Sequence, residues 1–474
     1  MALHKGFVVP LRSLMQEAAA ILERVETLFE LDATTELQEY LNDLSISDVA
    51  DLVKNRHVPT SKVYNLLEFH RAVAVFRVLD FSEQEELLQE LHPEMVAQLI
   101  NELAPDDRTA LLAELPSSAV KQLIKLLEPE ERKVTLSLLG YPESSVGRLM
   151  TPDYIDVEPD WSVKQVLDFI RMNGKHVETI DVIYVTDVNG VLLDDIRIRD
   201  FLIAEATTKV AELMDNRCIA LKVMDDQKET VQEFQNNNRV ALPVVDDKNI
   251  MLGIVTIDDV LWVAEEEYTE DIQMIGGTEA LDEPYLEVTL RDLYKKRVVW
   301  LIILFIGELL TISAMTRFQD QIAKVVALAT FIPLIISSGG NSGSQAATLI
   351  IQAMALGEVT LKDWWRVMRR EIISGLLLGC TLSLLSVIVL LLWHAIAPAT
   401  LGDLYIQIAL VVSTSLIGVV LWGTLMGSML PIFLKRMGAD PAASSTPFVA
   451  TLVDVTGLLI YFGSALIFLN KVIQ

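Results

Sequence analysis

Five long apolar stretches in the C-terminal part of this 474-residue chain constrain its fold more than any other feature. They lie at about 297–315, 322–355, 371–394, 404–434 and 446–470. About 20 apolar residues suffice for an α-helix to cross a bilayer, and a span must satisfy its own backbone hydrogen bonds. The pattern therefore predicts five transmembrane helices in a lipid bilayer, some of them tilted or extended beyond it.

Charge divides the chain into two parts. Residues 1–290 carry 25 basic and 56 acidic residues, a formal charge of −31, whereas residues 291–474 carry a formal charge of +4. This predicts an acidic soluble half followed by a membrane domain. Such an acidic surface repels nucleic acid and attracts cations, although it also serves simply to keep a soluble domain dispersed. Only Cys218 and Cys380 occur, so a disulfide framework is not expected.

Basic residues beside the apolar stretches predict the orientation. The side that continues from the soluble half holds Arg291, Lys295, Lys296, Arg297, Lys362, Arg366, Arg369, Arg370, Lys435 and Arg436. The opposite side holds Arg317, Lys324 and Lys471. Because basic residues concentrate in cytoplasmic loops, the soluble half is expected in the cytoplasm and the C-terminus outside the inner or plasma membrane. The N-terminus resembles an amphipathic helix, not a signal peptide.

A 12-residue repeat occupies residues 81–139. Leucine recurs with this period at Leu91, Leu103, Leu115 and Leu127. Proline recurs with it at Pro93, Pro105 and Pro129, with Ser117 in the equivalent place. Proline suits the first turn of a helix, and the apolar residues that follow form one face. The repeat therefore predicts an α-helical solenoid in which each short helix buries its face against its neighbours.

A second duplication covers residues 146–262, where "VGRLMTPDYIDV" is echoed by "VAELMDNRCIAL" and "IYVTDVNGVLLDDIRIRDFL" by "LPVVDDKNIMLGIVTIDDVL". Each half has short β-rich runs and ends in a strand that feeds a helix, at Asp200 or Asp259. This resembles a tandem pair of CBS modules. The second half matches well, whereas in the first Asp194 and Asp195 stand at a turn where the family usually has glycine. An acidic helix, Gly276-Gly277 and a linker follow.

The predicted fold is therefore multidomain and mainly α. Residues 1–140 form an acidic helical domain, 141–204 and 205–262 form two α/β CBS modules, and 263–290 form a connecting helix and linker. Residues 291–474 form a five-helix transmembrane domain.

The small polar run "PLIISSGGNSGSQAATLI" interrupts the second span. Pro333, Gly339 and Gly340 should break this helix or let another backbone approach, which leaves an ion path and plain helix packing both open.

Asp454 is a carboxylate in the last span, "PFVATLVDVTGLLIYF". A charged group at the bilayer centre costs at least about 2.5 kcal/mol, so it is expected to face protein or water on an ion or proton path. Ala450 lies one helical turn earlier, so its carbonyl and the Asp454 carboxylate can face one lumen. Oxygen ligands suit a hard cation such as Mg²⁺, and no His/Cys cluster suggests a soft metal. A salt-bridged structural carboxylate is the alternative.

Two further acidic residues stand near the spans. Glu308, in "LFIGELLTISAM", lies at membrane depth, where it can line the path, sense protons or pair with a basic residue. Asp440 lies before the last span, where it can flank the inner mouth or merely cap a helix. We predict the mouth for Asp440 and leave the role of Glu308 open.

Taken together, the acidic repeats, the CBS-like pair, the connecting helix, "GGNSGSQAATLI" and "PFVATLVDVTGLLIYF" resemble the MgtE family of magnesium channels over nearly the whole chain. The resemblance implies a homodimer with one pore on its two-fold axis. It implies that Asp454 of both subunits and the Ala450 carbonyl hold a largely hydrated Mg²⁺. Asn341, Gly339, Gly340 and Pro447 would then belong to the pore lining.

The same resemblance implies regulatory Mg²⁺ sites among cytosolic carboxylates. The candidates are Asp106, Asp107, Asp226, Asp246, Asp258, Asp259, Glu267, Glu270 and Asp271. Mg²⁺ bridging these groups would draw the connecting helices over the inner mouth, which predicts a valve closed by intracellular Mg²⁺. ATP binding to the CBS-like pair is a further expectation. The alternatives are a carrier coupled to protons or sodium and a non-conducting CBS-type sensor; no catalytic constellation suggests an enzyme.

Overall fold

The computed structural model describes residues 11–54, 59–175, 177–281, 285–286, 288–397 and 404–470. The chain forms two compact units, Met1–Ala264 and Glu265–Gln474. The first unit holds the helical repeats and both α/β modules, and the second holds the long apolar helices. The mainly helical, multidomain fold predicted from the sequence is therefore confirmed.

The first unit begins with a superhelix of short helices. They are α1 (Leu11–Glu30), α2 (Thr34–Asp43), α3 (Ile46–Lys54), α4 (Thr60–Leu66), α5 (Phe69–Arg77), α6 (Phe81–Glu90), α7 (Pro93–Glu102), α8 (Pro105–Glu114), α9 (Ser117–Leu126) and α10 (Pro129–Leu138). Alternate helices pack together, as α7 does with α9 and α8 with α10. The repeated prolines stand in the first turns of α7, α8 and α10, as predicted.

The repeated leucines explain the period of 12. Leu91, Leu103, Leu115 and Leu127 are the residues that follow the last turn of α6, α7, α8 and α9. All four are buried in one hydrophobic core. Each leucine therefore follows the end of one helix and fixes the turn to the next by burying its side chain. Burial of such a side chain stabilises the folded state by about 1.5–3 kcal/mol.

Two small α/β modules follow in the same unit. Their strands are β1 (Asp156–Val157), β2 (Val182–Thr186) and β3 (Leu192–Arg197), then β4 (Leu221–Lys222), β5 (Ala241–Val245) and β6 (Met251–Thr256). Their helices are α11 (Val146–Leu149), α12 (Val163–Asn173), α13 (Ile198–Ile203), α14 (Val210–Leu213), α15 (Gln227–Asn237) and α16 (Ile257–Ile275). In each sheet the first two strands are parallel and the last two antiparallel. This confirms the predicted duplication.

Two details of the modules differ from the sequence predictions. Asp194 and Asp195 do not stand at a turn, because both lie within β3 and pair with β2. The connecting helix does not begin at residue 263, because α16 runs unbroken from the end of β6 to Ile275. Gly277 follows α16 with a φ of +78°, a left-handed conformation that glycine adopts without strain.

The second unit is built on long helices. They are α17 (Leu290–Arg317), α18 (Gln319–Lys324), α19 (Ala327–Ala355), α20 (Trp364–Ile396), α21 (Tyr405–Arg436) and α22 (Thr446–Phe468). Among the described helices, four are long and apolar enough to cross a membrane, those at Leu290–Arg317, Leu361–Ile396, Tyr405–Arg436 and Thr446–Phe468. The fifth predicted span, α19, has 29 residues. Its small polar centre lowers its hydropathy, which is why length and composition alone do not select it.

Glycines bring α19 and α21 into backbone contact. A Cβ atom on Gly427 would lie 2.0 Å from the carbonyl oxygen of Gly343, and one on Gly423 would lie 2.4 Å from that of Gly339. The predicted close approach of another backbone is therefore confirmed. The predicted alternative, a break in the helix, is wrong, because α19 continues through Pro333. Gly339, Gly423 and Gly427 thus serve helix packing, since side chains there would collide, whereas a Cβ atom on Gly340 would make only ordinary contacts.

Candidate cation sites

Asp454 lies two turns into α22, half-buried at the contact with α19. Its Oδ1 atom lies 3.8 Å from the Cβ position built on Gly340, and that position lies 3.5 Å from Cβ of Ala450. Because α22 is unbroken, the Ala450 carbonyl and the Asp454 side chain share one helical face. The missing side chain of Gly340 leaves room beside this carboxylate. The arrangement offers oxygen ligands only, which suits a hard cation.

Glu308 of α17 hydrogen-bonds the Asp454 carboxyl. The two helices are close here, since a Cβ atom on Gly307 would lie 2.7 Å from Cγ2 of Thr451. The sequence has no Lys or Arg at 298–316, 325–361, 371–434 or 437–470. Of the roles left open for Glu308, pairing with a basic residue is therefore not what the structure shows. Sequence reasoning missed this pairing of two acids, because no local pattern links residues 146 positions apart.

Three other predicted pore residues have defined surroundings. Asn341 is exposed on α19, and its amide donates to Ser337 Oγ at 3.4 Å. Pro447 stands in the first turn of α22. Gly339 is buried, and a Cβ atom there would lie 2.3 Å from Val419 Cγ1. Gly339 thus contacts α21, and its assignment to the pore lining stays a prediction.

Asp440 precedes a short 3₁₀ helix, Pro441–Ala443, before α22. Its carboxylate accepts the backbone N–H of Ala442 at 2.7 Å. This is the capping role that the sequence offered as the alternative. This capping role is compatible with a position at the inner mouth of the ion path, and that position of Asp440 stays a prediction.

A cluster of carboxylates lies in the first unit, where α8 and the start of α16 come together. Asp106 is 4% exposed, and neither of its carboxylate oxygens has a hydrogen-bond partner among the residues that the structure describes. Burial, the charge of Asp259 and those of Asp107 and Glu178 raise the Asp106 pKa well above its usual range. Burial also raises the pKa of Asp107 to about 6 and that of Asp259 to about 7, and Asp258 and Glu178 add to both shifts. The cluster is a region of uncompensated negative charge.

Arg77 is the cation that this cluster already contains. Its Nε lies 2.6 Å from Asp107 Oδ2 and its Nη2 lies 3.1 Å from Glu178 Oε1. The pairing lowers the pKa of Asp107 against the effect of burial, so Arg77 compensates part of the negative charge. No salt bridge joins Arg77 to Asp106 or Asp259 among the described residues, and Thr256 donates a hydrogen bond to Asp259 at 2.6 Å. A divalent cation entering here would add to Arg77 or displace it.

Asp226 and Asp246 of the second module have local structural partners. Asp226 caps α15 by accepting the N–H of Lys228 at 2.9 Å. Asp246 accepts the backbone N–H groups of Lys248 and Ile250 at 2.8 and 2.9 Å, which closes the turn between β5 and β6. These contacts satisfy part of each carboxylate. The assignment of Asp226 and Asp246 as regulatory Mg²⁺ ligands stays a prediction.

The end of α16 belongs to the second unit and contacts the start of α22. Glu267, Glu270 and Asp271 are partly buried and share one face of the helix with Met274. Met274 and Ile275 pack against the hydrophobic core of the membrane helices. Thr446, the first residue of α22, donates a hydrogen bond to the carbonyl of Ile275 at 3.2 Å. The helix that carries these acids is therefore attached to the helix that carries Asp454.

Within the described residues, no group of three or more His, Cys, Asp or Glu side chains is already arranged to hold a metal ion. The carboxylates named above come together in pairs and looser groups, and Arg77 takes part of the largest one. Cation binding at any of them therefore needs water molecules, backbone oxygens or a second copy of the chain to complete the shell. Mg²⁺ is suited to such sites, because it keeps several waters and takes one or two carboxylates.

Two aspartates of the first CBS-like module bond residues of the second module. Asp194 is buried, and its Oδ2 atom accepts the backbone N–H groups of Asp215 and Asn216 at 2.7 and 2.9 Å. Asp195 pairs with Arg239 at 2.7 Å. Gly253 has the equivalent place in the second module, and there a Cβ atom would lie 2.6 Å from the carbonyl oxygen of Thr151. The aspartates thus fasten the first module to the second where the second uses glycine.

Comparison with known proteins gives three family matches. A family described as a divalent cation transporter, MgtE, matches residues 332–464. The MgtE intracellular N domain matches residues 44–144, and the CBS domain matches residues 210–266. The chain is 39% identical to the magnesium transporter MgtE of Thermus thermophilus over 71% of its length and 72% of the relative's. It is 31% identical to that of Bacillus subtilis over 72% and 73% of the two chains.

Two solved structures are similar to about half of the chain. One is the cytosolic domain of the Mg²⁺ channel MgtE in complex with ATP, with 32% identity, a TM-score of 0.48, and coverage of 51% of this chain and 99% of that one. The other is the soluble part of a magnesium transporter, with 24% identity, a TM-score of 0.49, and coverage of 53% and 99%.

Proposed function

The chain belongs to the MgtE family of divalent cation transporters, and from this premise we propose that it is a Mg²⁺ channel of the inner or plasma membrane. Mg²⁺ enters the cell along a path lined by α19 and α22. The soluble half lies in the cytoplasm and the C-terminus lies outside. The observation that carries the proposal is the Asp454 carboxylate beside Gly340 and Ala450, within the last apolar helix. The two relatives are both magnesium transporters, which supports the choice of ion.

Mg²⁺ uptake by the purified protein in liposomes tests this proposal. Uptake is expected with Mg²⁺ outside and no other gradient across the membrane. Empty liposomes and liposomes with the Asp454→Asn variant are the controls. Absence of uptake by the wild-type protein, with the protein correctly inserted, would favour the non-conducting sensor.

We also propose that cytosolic Mg²⁺ closes the channel. In the first unit, the buried carboxylates of Asp106, Asp107 and Asp259 repel one another, and a bridging divalent cation would remove that repulsion. The helix α16 carries Asp258 and Asp259 in its first turn. At its other end it is hydrogen-bonded to Thr446 of α22. Mg²⁺ binding at the acids would therefore act on the helix that lines the path, with Glu267, Glu270 and Asp271 as further ligands near the mouth.

Protons should compete with Mg²⁺ at the same cluster. In the folded protein the pKa values of Asp107 and Asp259 are raised to about 6 and about 7, so both take up protons as pH falls from 8 to 6. A raised carboxyl pKa stabilises the folded arrangement at low pH, and this stabilisation is lost as pH rises through the folded pKa. Mg²⁺ needs the ionised form, so we expect the inhibitory Mg²⁺ concentration to be several-fold higher at pH 6 than at pH 8. Flux at clamped internal pH measures this, and a pH-independent value would contradict it.

We propose that the channel is a homodimer, with each subunit supplying Asp454 to one pore. Exposed apolar side chains support a partner surface on the CBS-like pair. Leu202 and Ile203 at the end of α13 are 68% and 73% exposed, and Leu261 and Trp262, at the equivalent place on α16, are 63% and 59% exposed. Such a patch on a soluble domain marks an interaction site. The mass of the purified protein in lipid nanodiscs tests the dimer, and a monomer that conducts Mg²⁺ would refute it.

ATP binding to the CBS-like pair is a further part of the proposal. One of the similar structures, the cytosolic domain of a Mg²⁺ channel, is a complex with ATP. In this chain, Asp194 and Asp195 of the first module are engaged by residues of the second, so ATP is expected at the second module. Calorimetry with the purified full-length protein decides it, and no heat of binding at millimolar ATP would remove the expectation.

A coupled carrier is the second candidate, because the carboxyl pair of Glu308 and Asp454 is also a place where a proton could be exchanged for a cation. Uptake of Mg²⁺ driven by an imposed proton or sodium gradient distinguishes the two. A channel conducts along the Mg²⁺ gradient alone, whereas a carrier stops when the coupling ion is equilibrated.

A further inference from the structure

The structure points to Glu308 as a second acidic residue of the cation path: we propose that it positions the Asp454 carboxylate and adds its own negative charge to the site. This deepens the proposed function and rests on the assignment of Asp454 to the pore. The juxtaposition that carries it is a hydrogen bond between carboxyl groups of two different helices, α17 and α22. Nothing in the spacing of these two residues along the chain foreshadows it.

A small residue beside Glu308 allows the close approach of α17 to α22. Gly307 precedes Glu308, and a Cβ atom on it would lie 2.7 Å from Thr451 Cγ2. Any larger residue at 307 would push α17 away from α22. Thr451 in turn donates a hydrogen bond to the Pro447 carbonyl at 3.0 Å, so its side chain is held in place. The small residue therefore allows Glu308 to reach Asp454.

The charge of the Glu308–Asp454 pair indicates that it binds a cation. A hydrogen bond between two carboxyl groups requires a proton on one of them, so the pair without a cation carries one negative charge. A cation that displaces this proton meets two carboxylates, and charge at membrane depth is costly without compensation. The sequence provides no Lys or Arg in the central parts of the five long helices, at 298–316, 325–361, 371–434 or 437–470. The positive charge that compensates the pair must therefore come from the path itself. A hydrated divalent cation beside Asp454 provides it, and two carboxylates favour a divalent over a monovalent cation more strongly than one.

Glu308 thus resembles the residues that hydrogen-bond a metal ligand in many proteins. Such partners fix the direction of the ligand and raise its affinity for the metal, and their loss typically costs 10–100-fold. Asn341 of α19 has only an amide, which donates to Ser337 of its own helix. Glu308 is therefore the residue expected to set how strongly the site prefers Mg²⁺ over K⁺.

The test is ion flux through the full-length protein in liposomes, for Glu308→Gln and Glu308→Asp beside the wild-type protein. We expect Glu308→Gln to raise the half-saturating Mg²⁺ concentration about tenfold and to lower the ratio of Mg²⁺ to K⁺ flux. Glu308→Asp keeps the charge and should restore most of the flux ratio. Ser313→Ala on the same helix, which removes only a hydroxyl bonded to the Leu309 carbonyl, is the matched control.

Each outcome decides one question. Wild-type concentration dependence and flux ratio in Glu308→Gln would overturn the inference. An unchanged flux ratio together with a lost response to a proton gradient would also overturn it, since Glu308 would then carry protons. Equal loss in Glu308→Gln and Glu308→Asp would reduce Glu308 to a packing residue. If Asp454→Asn conducts normally, the pore assignment itself fails, whatever Glu308 does.

Discussion

Replacing Asp454 with Asn is expected to lower Mg²⁺ flux about 100-fold while the protein keeps its fold and oligomeric state. The substitution preserves the size of the side chain, and the contacts with Gly340 and Ala450 stay in place. It removes the negative charge that compensates a divalent cation at membrane depth. The measurement is Mg²⁺ uptake into liposomes, with size-exclusion chromatography of the same preparation as the check on folding.

Thr456→Val is the matched control for this prediction. Thr456 lies two residues further along α22, and its hydroxyl accepts a hydrogen bond from Trp422 Nε1 at 2.8 Å. Losing that bond should affect stability by about 0.5–1.5 kcal/mol and leave flux near the wild-type level. Normal flux through Asp454→Asn would contradict the assignment of the pore.

Removing the charges of Asp107 and Asp259 together is expected to raise the internal Mg²⁺ concentration needed for closure at least about tenfold, because cation affinity follows the number of ligand charges. Both carboxyls are largely buried among like charges, so the Asn variants relieve repulsion in the absence of Mg²⁺ as well. The variant channel should therefore stay open at Mg²⁺ concentrations that close the wild-type channel. Flux at a series of clamped internal Mg²⁺ concentrations measures the shift.

The Arg77→Gln variant provides the opposite test at the same place. Arg77 occupies the space between Asp107 and Glu178 and compensates their charge. Without it, Mg²⁺ meets two more uncompensated carboxylates, so closure is expected at a several-fold lower Mg²⁺ concentration. Closure that weakens in both variants would mean that Arg77 holds the domains together independently of Mg²⁺. Unchanged closure in both would contradict a regulatory role for this cluster.

Much of the fold could be predicted because its signals are local. Leu91, Leu103 and Leu115 recur every 12 residues because each one ends a helix in the same core. Apolar length alone indicated the long helices. Three predictions were wrong. One placed Asp194 and Asp195 at a turn, whereas both lie in β3. The other two concern where a helix begins or breaks. Nothing at residue 263 ends a helix, so α16 continues from β6, and Pro333 does not break α19 because its neighbours pack against α21.

The candidate sites were less accessible to sequence reasoning, because they depend on contacts between distant segments. Glu308 and Asp454 are each visible as misplaced charges, yet only the packing of α17 against α22 brings them together. Arg77 had no signal at all, since an arginine at the end of a short amphipathic helix is ordinary. Asp226, Asp246 and Asp440 were visible as acids, and the structure gives each a capping or turn role.

Mg²⁺ flux into liposomes as a function of clamped internal Mg²⁺ concentration tests the central claim most directly. Feedback channel activity predicts flux along the Mg²⁺ gradient alone at low internal Mg²⁺, falling steeply as internal Mg²⁺ rises, with no dependence on proton or sodium gradients. Flux that needs such a gradient, or that is unaffected by internal Mg²⁺ beyond the loss of driving force, would contradict the account.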